Sequence, residues 1–302
     1  MARRRHPRII PGFGLSLGYS VTYLTLIILI PLAALILKSS TQGWGQLWGT
    51  LKQEPVHTAF YNTFLSALIA ALLNVPLGLL VAWVLVRYRF VGRRLLDALI
   101  DLPFALPTAV AGLSLAFLYG PRGFVGQALT KVGFGFYWPI WAPAEGKFWP
   151  LQLKWYETIG LSPLGITAAL LFVGMPFVVR TLQPILEDMD VQVEEAAASL
   201  GATRLQTFWR VLLPQLMPSI ITGFALAFAR GIGEYGSVLF IAGQQPETII
   251  VPRLIIERLE QWDIPASATV ATLLLMASFV MLLVINLVQR RVNRWGEGGA
   301  EL

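Results

Sequence analysis

The chain alternates long, uninterrupted apolar runs with short polar or basic connections. Six runs reach about 20 residues, the length that crosses a hydrocarbon core of about 30 Å. They are approximately Leu17–Leu37, Phe60–Val86, Ala98–Tyr119, Leu164–Leu182, Leu216–Gly236 and Ala266–Val288. The short alternating segments of a transmembrane barrel are missing, and a lone continuous span satisfies its own backbone only as a helix. The pattern predicts an all-α integral membrane protein, with one transmembrane domain of six helices over residues 1–302. The fifth run has an irregular end. "RGIGEYGSVLFIAG" (230–243) opens with glycine and charge before turning apolar again, which predicts a break or a re-entrant piece.

Two connections stand apart from the rest. The loop at 120–162 carries Trp138, Trp141, Trp149 and Trp155 among prolines and glycines. Its proline density argues against a seventh span. Trp and Tyr prefer the headgroup layer, so the loop reads as an interfacial cap, with a disordered insertion as the alternative. The stretch 184–214 is polar yet strongly patterned. Pro184 can open a helix, and Glu187, Asp188 and Asp190 would sit near its positive end. Ala196, Ala197 and Ala198 favour helix, and Gly201 stands where a left-handed residue would end it. Thr203 and Gln206 form a T-x-x-Q capping box for a second helix, with Leu205, Phe208, Trp209 and Leu212 as one apolar stripe. The expected product is a helix–turn–helix hairpin, either packed on its own spans or offered to another surface.

Composition narrows the function. Of 302 residues, 56% are hydrophobic and 13% charged, which fits a membrane class. The net charge of +6 is explained by arginines that flank the spans. "RRRHPR", "RYRFVGRR" (87–94), the 180–210 segment and "RRVNR" (290–294) hold most of the 23 Lys and Arg, so both termini and the hairpin are expected in the cytoplasm and the 120–162 loop outside. The basic N-terminus lacks a convincing cleavage site and reads as the flank of a retained first span. Asp97 and Asp101 fall near the cytoplasmic interface, solvated or paired with Arg94. Cysteine is absent, and His6 and His57 both fall outside the six runs. No intramembrane set of nucleophile, base and metal ligands can be assembled, which disfavours a membrane enzyme. A self-contained secondary transporter would need coupling charges in its spans, and only Arg230 and Glu234 qualify.

The hairpin also carries a resemblance. Glu195-Ala196-Ala197, then Gly201, then Val211-Leu212-Leu213-Pro214 is similar to the E-A-A, three residues, G, nine residues, I-x-L-P signature of permease subunits of ABC importers, with Val in place of Ile. The resemblance implies the type I importer permease fold. It implies that this loop seats a coupling helix in a cytoplasmic ATPase, through Glu195, Ala196, Ala197, Gly201, Val211, Leu213 and Pro214. It also implies a chain that is not itself an enzyme. No G-x-x-x-x-G-K-[ST] loop is present, so ATP and Mg would belong to the partner ATPase and no cofactor to this chain. "DLPFALPTAVAGLSLAFLYGPRG" (101–123), "MPFVVRTLQPILE" (175–187) and "FARGIGEYGSVLFIAG" (228–243) resemble the T subunit of sulfate/thiosulfate permease pairs. That likeness covers most of the chain from about residue 55, and least the 124–160 segment. It implies a W-type sister permease, two ATPase copies, an external sulfate-binding receptor and a place in the bacterial inner membrane. Molybdate and tungstate permeases share the coupling and G-E-[FY]-G patterns and remain the alternative.

An oxyanion is costly to dehydrate and is best met by N–H groups, hydroxyls and balanced charge. Thr108, Ser114, Gly112, Gly231 and Gly233 could supply such contacts, or could simply let helices pack closely. Arg230 and Glu234, four residues apart, form either a self-neutralising pair or a transient counter-charge for a passing anion.

Overall fold

The computed structural model describes residues 13–41, 43–119, 123–131, 135–142, 147–154, 163–241 and 248–297. The basic N-terminus, Gly146 and Trp155 lie outside them. The chain opens with α1 (Phe13–Ser40), an apolar helix relaxed by a π turn at Thr25–Leu29, and a short α2 (Gly43–Leu51). α3 (Glu54–Arg87) has Pro55 in its first turn, where a missing N–H costs nothing. It begins before the expected Phe60, so His57 lies exposed within that turn.

The single span expected at 98–119 is broken into α4 (Arg93–Ile100), α5 (Leu102–Ala105) and α6 (Thr108–Tyr119). The cause is local. Pro103 and Pro107 lack donors, and Pro107 forces Leu106 into the extended region at φ −85°, ψ 136°. α7 (Phe124–Lys131) leads into an antiparallel hairpin of β1 (Gly135–Ala142) and β2 (Lys147–Lys154), with Trp138 opposite Leu151 and Pro139 opposite Pro150. The membrane fold is helical as expected, and this hairpin is an addition within the cap. Aromatic residues favour strands, and in a two-stranded ladder both strands are edges, where proline is accepted.

α8 (Pro163–Asp188) runs through Pro176 and Pro184. Pro184 is therefore inside a helix rather than at the start of one, and Glu187 and Asp188 close α8 instead of opening the next helix. α9 (Val191–Ser199) begins after Asp190, whose carboxylate accepts the Gln192 N–H at 2.9 Å. α10 (Arg204–Ile232) ends earlier than the expected Gly236. α11 (Gly236–Leu239), α12 (Val251–Glu260) and α13 (Ile264–Glu297) complete the chain.

Among the described residues, α1, α3, α8, α10 and α13 are long and apolar enough to cross a membrane. α6, at 12 residues, is not; it reaches only about 18 Å. A sixth crossing is nonetheless required. Arg87 at the end of α3 pairs with Glu194 just after α8, at 2.6 Å, so α3 and α8 finish on the same side. The chain between them must return, and α4 to α6 make that return in pieces.

Small residues set the centre. α3, α8 and α10 form the main bundle, with Ala67, Ala70, Ala71 and Ala82 of α3 buried at its seams. Val178 of α8 is fully buried between two glycines. A methyl added at Gly78 would lie 2.7 Å from Val178 Cγ1, and one added at Gly223 would lie 3.1 Å from its Cα. Lipid is as apolar as leucine, so close packing of this kind, rather than hydrophobic exclusion, holds membrane helices together. A smaller cluster joins the starts of α3, α12 and α13 through Val56, Val251 and Val270. There Thr63 Oγ1 accepts the Val251 N–H at 2.9 Å and Asn62 donates to Ile249 O at 3.1 Å, so the backbone entering α12 is satisfied.

Candidate functional site

The hairpin between α8 and α10 is built by short-range chemistry. α9 ends at Ser199. The Gly201 N–H then donates to Ala198 O at 2.9 Å and the Ala202 N–H to Ala197 O at 3.0 Å, the paired bonds of a Schellman closure. That closure needs a left-handed residue, and Gly201 has φ +81° with nothing within 4 Å of where a Cβ would stand. Two residues later Thr203 caps α10. Its Oγ1 accepts the Gln206 N–H at 3.3 Å, and Gln206 Oε1 accepts the Thr203 N–H at 2.8 Å.

Only one side of α9 faces the protein. Ala197 is buried, whereas Glu195, Ala196, Ala198 and Gly201 are exposed and Leu200 is 89% exposed. Val211 and Leu213 are half-buried and Pro214 is exposed. The Leu205–Leu212 stripe does not form a single buried face. A π turn at Phe208–Leu212 widens the helical repeat, leaving Leu205 and Trp209 exposed while Leu212 is buried. The hairpin is anchored from outside its own sequence. Glu194 meets Arg87, and the Arg87 guanidinium lies 5.5 Å from the ring centre of Trp83. Trp83 in turn meets Phe208 edge-on at 6.1 Å. The acidic Glu194 beside Glu195 and the arginines of 87–94 were the only sequence signal for this anchor.

A second set of charges ties the broken crossing to α8. Arg180 donates to both carboxylate oxygens of Asp101, at 2.9 and 2.6 Å, to Asp97 Oδ1 at 2.7 Å and to Asp97 O at 3.0 Å. The aspartates pair across the bundle with Arg180, not with Arg94, which is exposed. Such a forked contact suits arginine alone among the cations.

The third cluster surrounds the break after α10. Gly233 ends the helix, and Glu234, 2% exposed, turns back to form an ion pair with Arg230, which is 34% exposed. The other Glu234 oxygen accepts the Ser237 N–H at 2.9 Å and so caps the short α11. α11 lies on α6: the Ser237 carbonyl sits against Gly112 and Thr108 Oγ1 against Gly236. The fold thus gathers Thr108, Gly112, Arg230, Glu234 and Ser237. Ser114 does not join them, being exposed on another face of α6. Gly231 packs on Ala67, a helix-packing role. Ser237 Oγ is buried and, among the described residues, has no hydrogen-bond partner. The cluster combines a partly exposed guanidinium paired with Glu234, the Thr108 hydroxyl of α6 and the buried Ser237 hydroxyl of α11, groups whose chemistry is to donate hydrogen bonds. Sequence reasoning missed Ser237, because only the break brings it to Glu234.

A family model described as the binding-protein-dependent transport system inner membrane component matches residues 74–295. The chain is 45% identical over 288 residues to the sulfate transport system permease protein CysT of Salmonella typhimurium, covering 95% of this chain and 96% of the relative. It is 44% identical to the protein of that name from Escherichia coli, with the same coverage. Among solved structures, a chain of a bacterial alginate ABC transporter bound to its periplasmic protein superposes with TM-score 0.71 at 17% identity, covering 92% of this chain and 94% of that one. A chain of the MetNI methionine ABC transporter superposes with TM-score 0.54 at 17% identity, covering 83% and 99%. At these identities the structural matches speak for the fold. The family match over most of the chain and the near full-length relatives lead to one conclusion: the chain belongs to the binding-protein-dependent transport system inner membrane components, as a multi-pass permease subunit of the ABC importer fold and not an enzyme.

Proposed function

We propose that this chain is the permease subunit of an ATP-driven importer for sulfate, and for thiosulfate, that forms the anion path and couples it to a cytoplasmic ATPase. The observation that carries the reading is similarity to sulfate permeases along nearly the whole chain, combined with a rigid exposed hairpin held by Arg87 and Glu194. In this reading the exposed alanines of α9, Glu195 and the Gly201 turn enter the ATPase. Val211, Leu213 and Pro214 carry the motion into α10. Arg230 and Thr108 meet the passing anion, while Glu234 fixes the turn. The partners are a W-type sister permease, two ATPase copies holding ATP and Mg, and an external sulfate-binding receptor. Both termini and the hairpin face the cytoplasm. A cysteine placed at Phe124 is then expected to react with an impermeant reagent added outside, and one at Ser199 to be protected; the reverse pattern would overturn the orientation.

The test of function is uptake of labelled sulfate by the reconstituted complex with its receptor. Excess thiosulfate should compete strongly, and molybdate or tungstate weakly. Stronger competition by molybdate or tungstate would reassign the cargo. Uptake that persists without ATPase subunits would point to a secondary transporter. Gly201→Val addresses coupling separately. The left-handed backbone disfavours a branched side chain by about 1–2 kcal/mol, with no steric clash to confound it. The variant should insert normally yet dock the ATPase less well or hydrolyse ATP without transport, and normal coupled uptake would remove the docking role.

A further inference from the structure

A groove of about 810 Å³ runs between α3 and α10, from Val75 to Tyr88, walled by Leu80, Trp83, Trp209 and Met217. Its lining is almost wholly apolar, and Leu80 is 61% and Trp209 59% exposed. Along α3 it covers about 20 Å, close to the ~15 Å of one hydrocarbon leaflet. Its aromatic end carries Trp83, Tyr88 and Trp209, residue types that settle at headgroup depth. Directly beyond Tyr88 the chain forms a second, smaller hollow of about 330 Å³, lined by Arg89, Arg93 and Arg94 around the left-handed Gly92. Arg87 is engaged by Glu194. Arg89, Arg93 and Arg94 have no carboxylate partner among the described residues.

Orientation explains why arginines collect on this side. It does not explain why three unpaired ones surround a hollow at the mouth of an apolar groove of leaflet length. A protein helix laid in the groove would satisfy the apolar walls but leave those guanidinium groups without an anion. We propose that the groove and the Arg89–Arg94 turn together form a binding site for one anionic glycerophospholipid, with an acyl chain against Leu80 and Trp83 and the phosphate among Arg89, Arg93 and Arg94. Basic pockets between helices on a cytoplasmic face have the chemistry for such headgroups. The inference depends on this face being cytoplasmic and not on the identity of the cargo.

The experiment uses the assembled transporter in nanodiscs containing equal phosphatidylglycerol and phosphatidylcholine, with co-purified lipid counted by native mass spectrometry. Phosphatidylglycerol should be retained over phosphatidylcholine. Arg89→Gln alone should reduce that preference by up to about fivefold, and the triple Arg89→Gln, Arg93→Gln, Arg94→Gln variant should abolish it. The triple lysine variant, which keeps the charge and the orientation, should preserve the preference. Leu80→Trp, which fills the groove at an exposed position, should lower retention of both lipids with the arginines intact. Equal retention by the unaltered protein, or a preference unchanged by the glutamine variants or lost in the lysine variant, would overturn the proposal. So would efficient crosslinking of a cysteine at Leu80 to the sister permease, which would show that a helix occupies the groove. Because lipid retention is read without transport, its failure leaves the sulfate reading standing.

Discussion

Exchanging Arg230 at the end of α10 with Glu234 in the break beyond it, as Arg230→Glu with Glu234→Arg, is expected to abolish sulfate uptake and to cut recovery of the assembled complex by about tenfold, the equivalent of one unmatched buried polar group. An ion pair that served only to neutralise itself would survive the exchange. The geometry here is not symmetric. Glu234 is 2% exposed, and its carboxylate serves both Arg230 and the Ser237 N–H, whereas Arg230 is 34% exposed. An arginine at 234 has only donors to offer, so the Ser237 N–H would be buried without an acceptor. Leaving one buried polar group unmatched costs about 1–3 kcal/mol, and the larger guanidinium must also fit a site that is already closed. Three single variants should fall in order. Arg230→Lys keeps the charge and stays near full assembly, Glu234→Gln keeps an acceptor for Ser237 but loses the charge and falls next, and Glu234→Leu loses both contacts and falls furthest. Co-purification with the ATPase and sister chain scores assembly, and labelled sulfate scores uptake. Full uptake by the exchanged variant would show that the Ser237 contact does not matter and that the pair acts by charge alone.

That asymmetry was not legible in the sequence, although Arg230 and Glu234 were. A spacing of four residues announces an ion pair, but not which partner is buried. The features that could be read ahead were those decided within a few residues. The Gly201 turn and the Thr203–Gln206 box depend on φ preference and on hydrogen bonds three residues long, and both are present. What failed to show were contacts across the bundle. Asp97 and Asp101 looked toward their neighbour Arg94 because sequence offers near partners first; their actual partner, Arg180, lies 79 residues from Asp101 and 83 from Asp97. Hydropathy also ran smoothly over 98–119, since a window average registers Pro103 and Pro107 only as mildly less apolar. The backbone registers them as lost donors and an extended Leu106. The reverse error occurred at Pro184. A proline in a soluble helix marks an end, but in a membrane bundle neighbouring helices and local adjustments satisfy the freed carbonyl, and α8 continues to Asp188. The π turn at Phe208–Leu212 had no sequence signal and displaced the apolar stripe by shifting the helical phase.

The contact between α6 and α11 should tolerate little added bulk. A glycine series separates backbone from side-chain obstruction there. A methyl added at Gly112 would overlap the carbonyl, the carbonyl carbon and the Cα of Ser237, all backbone. Nothing can rotate away, so α11 must lift from α6 and pull the Glu234 cap with it. Overpacking of this kind typically costs about 1–3 kcal/mol, and here the strain also falls on the buried Glu234 carboxylate. Gly112→Ala is therefore expected to lower the thermal stability of the purified complex and to lose most uptake. A methyl at Gly236 would meet Thr108 Oγ1 instead, the end of a side chain. Gly236→Ala should lower the thermal stability of the complex, and Thr108→Ala, which removes the obstructing atom, should restore part of that stability whatever it does to uptake. At Gly233 nothing lies within 4 Å and φ is −89°, so Gly233→Ala should behave like the unaltered protein. If the three glycines responded alike, conformational freedom at the break, rather than close approach, would be what they supply. Rescue of Gly236→Ala by Thr108→Ala, with no rescue of Gly112→Ala by the same change, is the pattern that assigns the role to packing. Wild-type uptake by Gly112→Ala would mean that α6 and α11 need not touch for the anion to pass.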